Sequence, residues 1–246
     1  MKAMIFAAGL GTRLRPLTNN KPKALVEINN TTLLEYCIRR LKFFGYTDII
    51  VNIHHFGKQI ISFLEANNNF GINISISDER DLLLNTGGGL KKAASFFGEN
   101  EDFLVVNVDI LHNIDFNLMR KTHIENKNLV TLAVSKRKTS RYLLFDENNN
   151  LGGWQNVSTG KVKIAKASKI LTTYNSLAFS GLQMVNAKIF NFMPQESVFS
   201  IIDVYLKTAS KAQLMAFQHE ADIWLDVGKH DALAKAATMV QTIDFA

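Results

Sequence analysis

Along the first 110 residues the apolar positions alternate between a strand-like and a helix-like spacing. Ala3–Ala7 is a short apolar run of the kind a buried strand needs. Leu34, Ile38 and Leu41 then recur at helical spacing behind Thr32-Leu33-Leu34-Glu35, where the Thr hydroxyl and Glu carboxylate can satisfy free amides at a helix start. Gly45 is placed to stop that helix. Asp48–Ile53 reads as a buried strand, Lys58–Ala66 as a helix with Ile60, Ile61 and Leu64 on one face, and Ile72–Ser77 as an alternating strand. Leu90–Phe97 is predicted as a short helix following three glycines. Phe103–Val108 is almost wholly apolar, as a central parallel strand covered on both faces should be. After about residue 135 the rhythm changes. Tyr142–Phe145 and Leu151–Trp154 flank the turn-forming run Asp146-Glu147-Asn148-Asn149-Asn150. Val157–Ile170 reads as a basic loop or edge strand and Tyr174–Val185 as a strand. Helices are expected near Ala187–Phe192 and Ser197–Ala209, a last strand at Ile223–Val227, and a closing helix at Asp231–Met239. Strands alternating with helices predict an α/β fold with a mostly parallel sheet. No internal repeat or linker breaks residues 1–246, so a single domain with a β-rich insertion around residues 136–185 is expected.

Composition narrows the class. The chain has 246 residues, 47% apolar and 20% charged, enough to bury a core without disulfides. No stretch approaches the roughly 20 apolar residues of a membrane helix, and the opening apolar run ends too early for a signal peptide. A lone Cys37 cannot form an internal disulfide, which fits a reducing compartment, and a cytoplasmic protein is expected. The net charge of +6 suits anionic ligands. The charges are scattered, with no arginine-rich tract and no aromatic-basic interleaving, which argues against nucleic acid as the partner.

Three places carry candidate chemistry. The first strand runs into Ala7-Ala8-Gly9-Leu10-Gly11-Thr12-Arg13-Leu14-Arg15-Pro16. A dinucleotide fingerprint would need glycine where Leu14 stands, and the Gly-Lys-Ser/Thr of a P-loop is absent. What remains is a glycine-rich turn whose amides can approach an anion, with Arg13 to grip phosphate oxygens and Lys21 and Lys23 close behind. Asn85-Thr86-Gly87-Gly88-Gly89 opens a helix, and three glycines are more than one positive-φ turn requires. Asp109 ends the apolar strand Val105–Val108, and Asp226 ends a second apolar segment. Mg²⁺ typically takes one or two carboxylates plus phosphate oxygens, which this pair can supply. His54, His55, His112 and His123 lack zinc-ligand spacing and read as surface or internally bonded histidines. Cys37 reads as a packed core thiol, and Phe190, Phe192 and Phe199 as core.

The run from Ala7 to Thr18 followed by Lys21-Pro22-Lys23-Ala24-Leu25-Val26 resembles the signature of the sugar-1-phosphate nucleotidylyltransferases, with lesser matches through Asn85–Lys92, Val105–Asp109, Phe179-Ser180-Gly181 and Trp224–Gly228. Within that family the Thr-Gly-Gly-Gly run and the short length are most similar to the N-acetylmuramate-1-phosphate uridylyltransferases. The resemblance implies a three-layer Rossmann-like fold in which residues 136–185 form the sugar side. It implies that Ala8, Gly9, Gly11, Thr12 and Arg13 wrap the nucleotide, with Arg13 on the departing phosphates and Lys23 beside the reacting one. Thr86, Gly87 and Gly88 would approach base and ribose, Ser180 and Gly181 the sugar, and Asp109 and Asp226 would hold Mg²⁺. Arg13, Lys23 and Asp109 would thus carry catalysis. UTP and a sugar 1-phosphate, N-acetylmuramic acid 1-phosphate, are the implied substrates. Val108 stands where many members have glycine, and the Glu-Lys-Pro segment whose lysine grips the sugar phosphate is missing. Lys161, Lys163, Lys166 and Lys169 are the candidates to replace it. Rival readings are a mannose-1-phosphate guanylyltransferase, a glucose-1-phosphate thymidylyl- or uridylyltransferase, a phosphocholine cytidylyltransferase, and a nucleotide-sugar-binding regulatory subunit. The sequence leaves the oligomeric state open.

Overall fold

The computed structural model describes residues 1–165, 174–219, 223–228 and 230–242. Its centre is a run of four parallel strands in the spatial order Asp102–Asn107, Lys2–Phe6, Asp48–Ile53 and Asn73–Asp78. Side chains alternate across these strands, so each face builds its own core. Ala3, Ile5, Leu104 and Val106 pack on one side with Leu33, Leu34, Ile38 and Leu41 of the helix Leu33–Phe43. Met4, Phe103 and Val105 pack on the other with Leu90, Leu132 and Tyr205. The α/β expectation holds, with helices on both faces of a mixed sheet. The helix Leu33–Phe43 starts as its sequence dictates: the Thr32 side chain accepts the Glu35 amide at 3.1 Å, a cap worth about 1 kcal/mol.

Beyond Asp102–Asn107 the sheet continues antiparallel through the long strand Asn175–Asn186, which also pairs with Arg141–Phe145 and Val130–Ser135. The hairpin of Arg141–Phe145 and Leu151–Asn156 adds the edge strand Lys161–Ile164. Lys166 and Lys169 lie outside the described residues. Among the described residues no helix is long and apolar enough to cross a membrane.

Several elements differ from expectation. The three glycines lie inside the helix Asn85–Lys92, which ends before a 3₁₀ turn at Ala94–Phe96, so no helix runs from Leu90 to Phe97. Gly87, Gly88 and Gly89 have no positive φ. Close packing is the reason for the first two: a methyl on Gly88 would overlap the Ser197 carbonyl oxygen, and one on Gly87 would overlap the Phe199 ring. Residues 194–201 clamp this helix start, with the Gly87 amide donating to Phe199 O at 2.9 Å and Lys91 Nζ to Pro194 O at 2.6 Å. Ala187–Phe192 is a 3₁₀ helix, and the following α-helix begins only at Ile201, capped by Ser200. Trp224–Asp226 pairs with Ile110–His112 in a separate two-stranded ribbon. The strands Val130–Ser135 and Leu214–Gln218 and the helix Phe116–Glu125 go beyond the elements the sequence pattern predicts; the two strands pair with each other in parallel.

The strand order locates the crevice. From Lys2–Phe6 the chain moves outward to Asp48–Ile53 and Asn73–Asp78, then returns to the opposite side of the first strand as Asp102–Asn107. Open α/β sheets bind ligands outside the carboxyl ends of strands at such a reversal. The glycine-rich loop and Asp109 both lie there.

Candidate active site

The loop after Phe6 is held from below. The amides of Ala7 and Ala8 donate to Asn52 Oδ1 at 2.6 and 3.2 Å. Gly11 adopts φ +65°, a conformation favouring glycine, and its carbonyl accepts the Thr18 hydroxyl at 2.8 Å. Among the described residues the amides of Gly9, Leu10 and Gly11 have no intramolecular acceptor. Open space surrounds Gly9, and Thr12 and Arg13 are exposed.

Four of the expected residues converge. Lys23, 9% exposed, ion-pairs through Nζ with Asp109 Oδ2. Asp226 Oδ1 accepts the Gly228 amide at 2.8 Å. A methyl placed on Gly228 would lie 2.6 Å from Asp226 Oδ1, 2.7 Å from Arg13 Nη2 and 3.0 Å from Lys23 Nζ. The Val227 amide, in turn, donates to Asp109 O at 2.9 Å. Arg13, Lys23 and Asp226 thus meet at one point at the sheet's carboxyl edge, with Asp109 paired to Lys23 beside it, the four residues coming from three segments far apart in the chain. Among the described residues no three His, Cys, Asp or Glu side chains cluster as a metal site. Two hard carboxylates facing a polyphosphate are nevertheless the donor set Mg²⁺ uses, with phosphate oxygens and water completing the shell.

The other expected residues lie around this point. Thr86 is exposed and its Oγ1 accepts the Ile201 amide at 3.2 Å, whereas Gly87 and Gly88 are buried beneath residues 197–199. Ser180 is fully buried, its Oγ 2.7 Å from His219 Nε2. Gly181 has φ +81°, and a methyl there would meet Ile110 Cγ1 at 2.8 Å. Burial pushes the Cys37 thiol up and Asp109 adds to the shift, which disfavours the thiolate that a nucleophile would need. His54, His112 and His123 each have an internal hydrogen-bond partner.

Beside Arg13 and Asp226 opens a cleft of about 760 Å³ lined also by Arg137, Arg141, Trp154 and Lys163. No sequence motif singles out Arg137. Its guanidinium lies 3.8 Å from the Trp224 ring centroid and donates to Phe179 O at 2.6 Å. Burial holds it below its ordinary pKa, while Asp226 pulls in the opposite direction. Trp224 Nε1 donates to Ser180 O at 2.9 Å. Lys163 pairs with Asp203, with its ammonium 5.6 Å from the Trp154 ring centroid.

The sequence pattern of the family described as "Nucleotidyl transferase" matches residues 2–242. The chain belongs to that family. The N-acetylmuramate alpha-1-phosphate uridylyltransferase of Neisseria meningitidis serogroup B is 31% identical to this transferase over 242 residues, covering 97% of this chain and 98% of the relative. The protein of the same name from Caulobacter vibrioides is 45% identical over 109 residues, 44% of this chain and 45% of the relative. A solved UDP-glucose pyrophosphorylase from Acinetobacter baumanii shares the fold, with a TM-score of 0.77 at 17% identity over 97% of this chain and 92% of that one. The protein is therefore an enzyme of the nucleotidyl-transferring class.

Two buried histidines give this transferase a pH signature. Burial, then the Arg137 charge, lowers His219 to about 4; burial, with Arg40 and His219, lowers His112 to about 3; both start from 6.5. Between those values and 6.5 the unfolded chain takes up protons that the folded chain refuses, so stability falls as pH falls through that window. The melting temperature of wild type should drop on acidification from pH 7 to 4.5. His219→Gln, which retains an acceptor for the Ser180 hydroxyl, should drop less. Parallel melting curves for the two proteins would discard this assignment.

Proposed function

We propose that this chain transfers the uridylyl group of UTP to N-acetylmuramic acid 1-phosphate, releasing pyrophosphate and forming a UDP-sugar, within one domain whose sugar side is built by residues 136–185. The observation that carries the reading is the meeting of Arg13, Lys23, Asp109 and Asp226 about Gly228 at the topological reversal of the sheet. The near-full-length match to the Neisseria relative supports the choice of UTP and of the sugar.

In this reading the Gly9–Thr12 amides and Arg13 hold the β- and γ-phosphates, and Lys23 sits at the α-phosphate after leaving Asp109 for the substrate. Thr86, the exposed member of the Thr86–Gly88 turn, lies toward the ribose and base, and Ser180-Gly181 backs the sugar. An oxygen of the sugar phosphate attacks the α-phosphorus in line, the α–β bridging bond breaks, and the electron pair leaves with pyrophosphate. The attacking phosphate is already ionised near neutral pH, so no general base is needed. Both reactants are polyanions, and positioning with charge neutralisation is the main task of the site. Asp109 and Asp226 would hold Mg²⁺, which when bound offsets phosphate charge and aligns the triphosphate.

Arg137 takes the place of the missing Glu-Lys-Pro lysine as anchor for the acceptor's phosphate, with Arg141 and Lys163 along the same cleft for the sugar's carboxylate. Arg137→Ala should raise KM for the acceptor about tenfold or more while KM for UTP stays near wild type. Equal rises for both substrates would remove Arg137 from the acceptor side. The reading as a whole is tested by pyrophosphate release from UTP, dTTP, CTP and GTP against a panel of sugar 1-phosphates and phosphocholine. UTP with N-acetylmuramic acid 1-phosphate should give the highest kcat/KM. A preference for GTP of about tenfold, or 1.4 kcal/mol, would overturn the choice of base.

A further inference from the structure

Beneath the site runs a buried polar chain that the transfer chemistry does not touch. Asn52, 3% exposed, lies near the carboxyl end of Asp48–Ile53, and Glu79, 1% exposed, directly follows Asn73–Asp78. Asn52 Oδ1 accepts the amides of Ala7 and Ala8, and Nδ2 donates to Glu79 Oε1 at 2.7 Å. Glu79 Oε2 accepts the Leu84 amide at 3.2 Å, immediately before the helix Asn85–Lys92. His54 Nδ1 lies 2.6 Å from the Glu79 carbonyl oxygen and fixes the backbone of that residue. The helix backs directly onto the pair: a methyl on Gly89 would lie 2.6 Å from Glu79 Oε1 and 3.0 Å from Asn52 Nδ2.

The orientation of the carboxamide is determined by its surroundings, since turning it over would set its NH₂ against two backbone N–H groups. A buried carboxylate is destabilising unless its oxygens are hydrogen-bonded, and here both oxygens are. An apolar pair of similar volume would fill the space, but it would leave the amides of Ala7, Ala8 and Leu84 without acceptors and could not fix the spacing of two backbone segments. The segments joined are the loop carrying Gly9–Arg13 and the helix start carrying Thr86–Gly88.

We propose that Asn52 and Glu79 are a positioning pair that sets the separation of these two segments and thereby the tightness with which the nucleotide is held. The inference rests on the assignment of both segments to the nucleotide.

Each single exchange breaks the chain. Asn52→Asp sets two carboxylates against each other, and Glu79→Gln leaves a donor facing either Asn52 Nδ2 or the Leu84 amide. The double variant Asn52→Asp/Glu79→Gln restores every bond. The carboxylate introduced at position 52 accepts from Ala7, Ala8 and the carboxamide introduced at position 79, whose oxygen accepts from Leu84. Each single variant should raise KM for UTP about tenfold with the acceptor's KM unchanged, and the double variant should return it to within about threefold of wild type. A merely structural role would lower the melting temperature without separating the two KM values. Where a single variant fails to fold, the double variant decides, and a tenfold rise in its KM for UTP overturns the pair. Folded single variants with wild-type KM for UTP also overturn it. Arg13→Ala, assayed alongside, separates the two assignments. If it raises KM for UTP while the Asn52 and Glu79 variants do not, the positioning pair alone fails. If all leave KM for UTP unchanged, the nucleotide assignment of the loop fails with it.

Discussion

Asp226→Asn should fold like wild type and lose about a thousandfold in turnover, equivalent to ~4 kcal/mol of transition-state stabilisation. The structural bond it makes is preserved, because the Asn oxygen can still accept the Gly228 amide that Asp226 Oδ1 accepts at 2.8 Å. What disappears is the negative charge that would hold a divalent cation beside the triphosphate. Asp109→Asn should lose activity to a similar degree but is the less clean experiment. Its carboxylate is the partner of the buried Lys23 ammonium, and removing one member of a buried pair is itself destabilising. The measurement is kcat as a function of Mg²⁺ concentration, with circular dichroism and melting temperature as controls for folding. Wild-type turnover in both variants at saturating Mg²⁺ would end the assignment of these carboxylates to the metal. A rightward shift of the Mg²⁺ dependence together with a lowered maximum is the expected signature.

The parts of this site that can be read from the sequence are those whose chemistry is local. The glycine-rich loop follows a recognisable first strand, and the strand Phe103–Val108 points to the carboxylate that ends it. The helix at Leu33 announces itself through Thr32 and Glu35. Other features depend on partners far along the chain. The glycines at 87 and 88 serve the approach of Ser197 and Phe199, a contact across more than a hundred residues that no local pattern encodes. Val130–Ser135 and Leu214–Gln218 pair with each other only after long connections. Arg137 follows a strand that the pattern does not predict, so sequence alone directs the search for a sugar-phosphate anchor to Lys161–Lys169 instead. Asn52 does leave a signal, as a polar residue in the otherwise apolar run from Ile49 to Ile53. Glu79 leaves less, since an acidic residue in the run Ser77-Asp78-Glu79-Arg80-Asp81 reads as solvated, yet it is 1% exposed.

Gly228→Ala is expected to disable the enzyme while sparing its fold. Gly228 is not among the positive-φ residues, so alanine meets no backbone strain there. Its methyl would instead arrive 2.6 Å from Asp226 Oδ1, 2.7 Å from Arg13 Nη2 and 3.0 Å from Lys23 Nζ. Normal van der Waals separation is about 3.5–4.0 Å, so something must give way. Arg13 Nη2 ends a long, exposed side chain and can swing aside at little energetic expense, whereas Lys23 can move only by loosening its pair with Asp109. That relief is the damage, because it carries both cations off the point where phosphate charge would be neutralised. Displacing a preorganised donor of this kind is worth about 2.7–4 kcal/mol, so kcat should fall about a hundredfold or more. Gly98→Ala is the control, because its methyl would meet Glu101 only at 3.6 and 3.7 Å. Gly98→Ala should melt close to wild type, and Gly228→Ala should keep the circular dichroism of the wild type with a modestly lower melting temperature, because loosening the Lys23–Asp109 pair is itself destabilising. A Gly228→Ala enzyme with wild-type kcat would mean that Arg13, Lys23 and Asp226 need not meet at this point for the reaction to proceed.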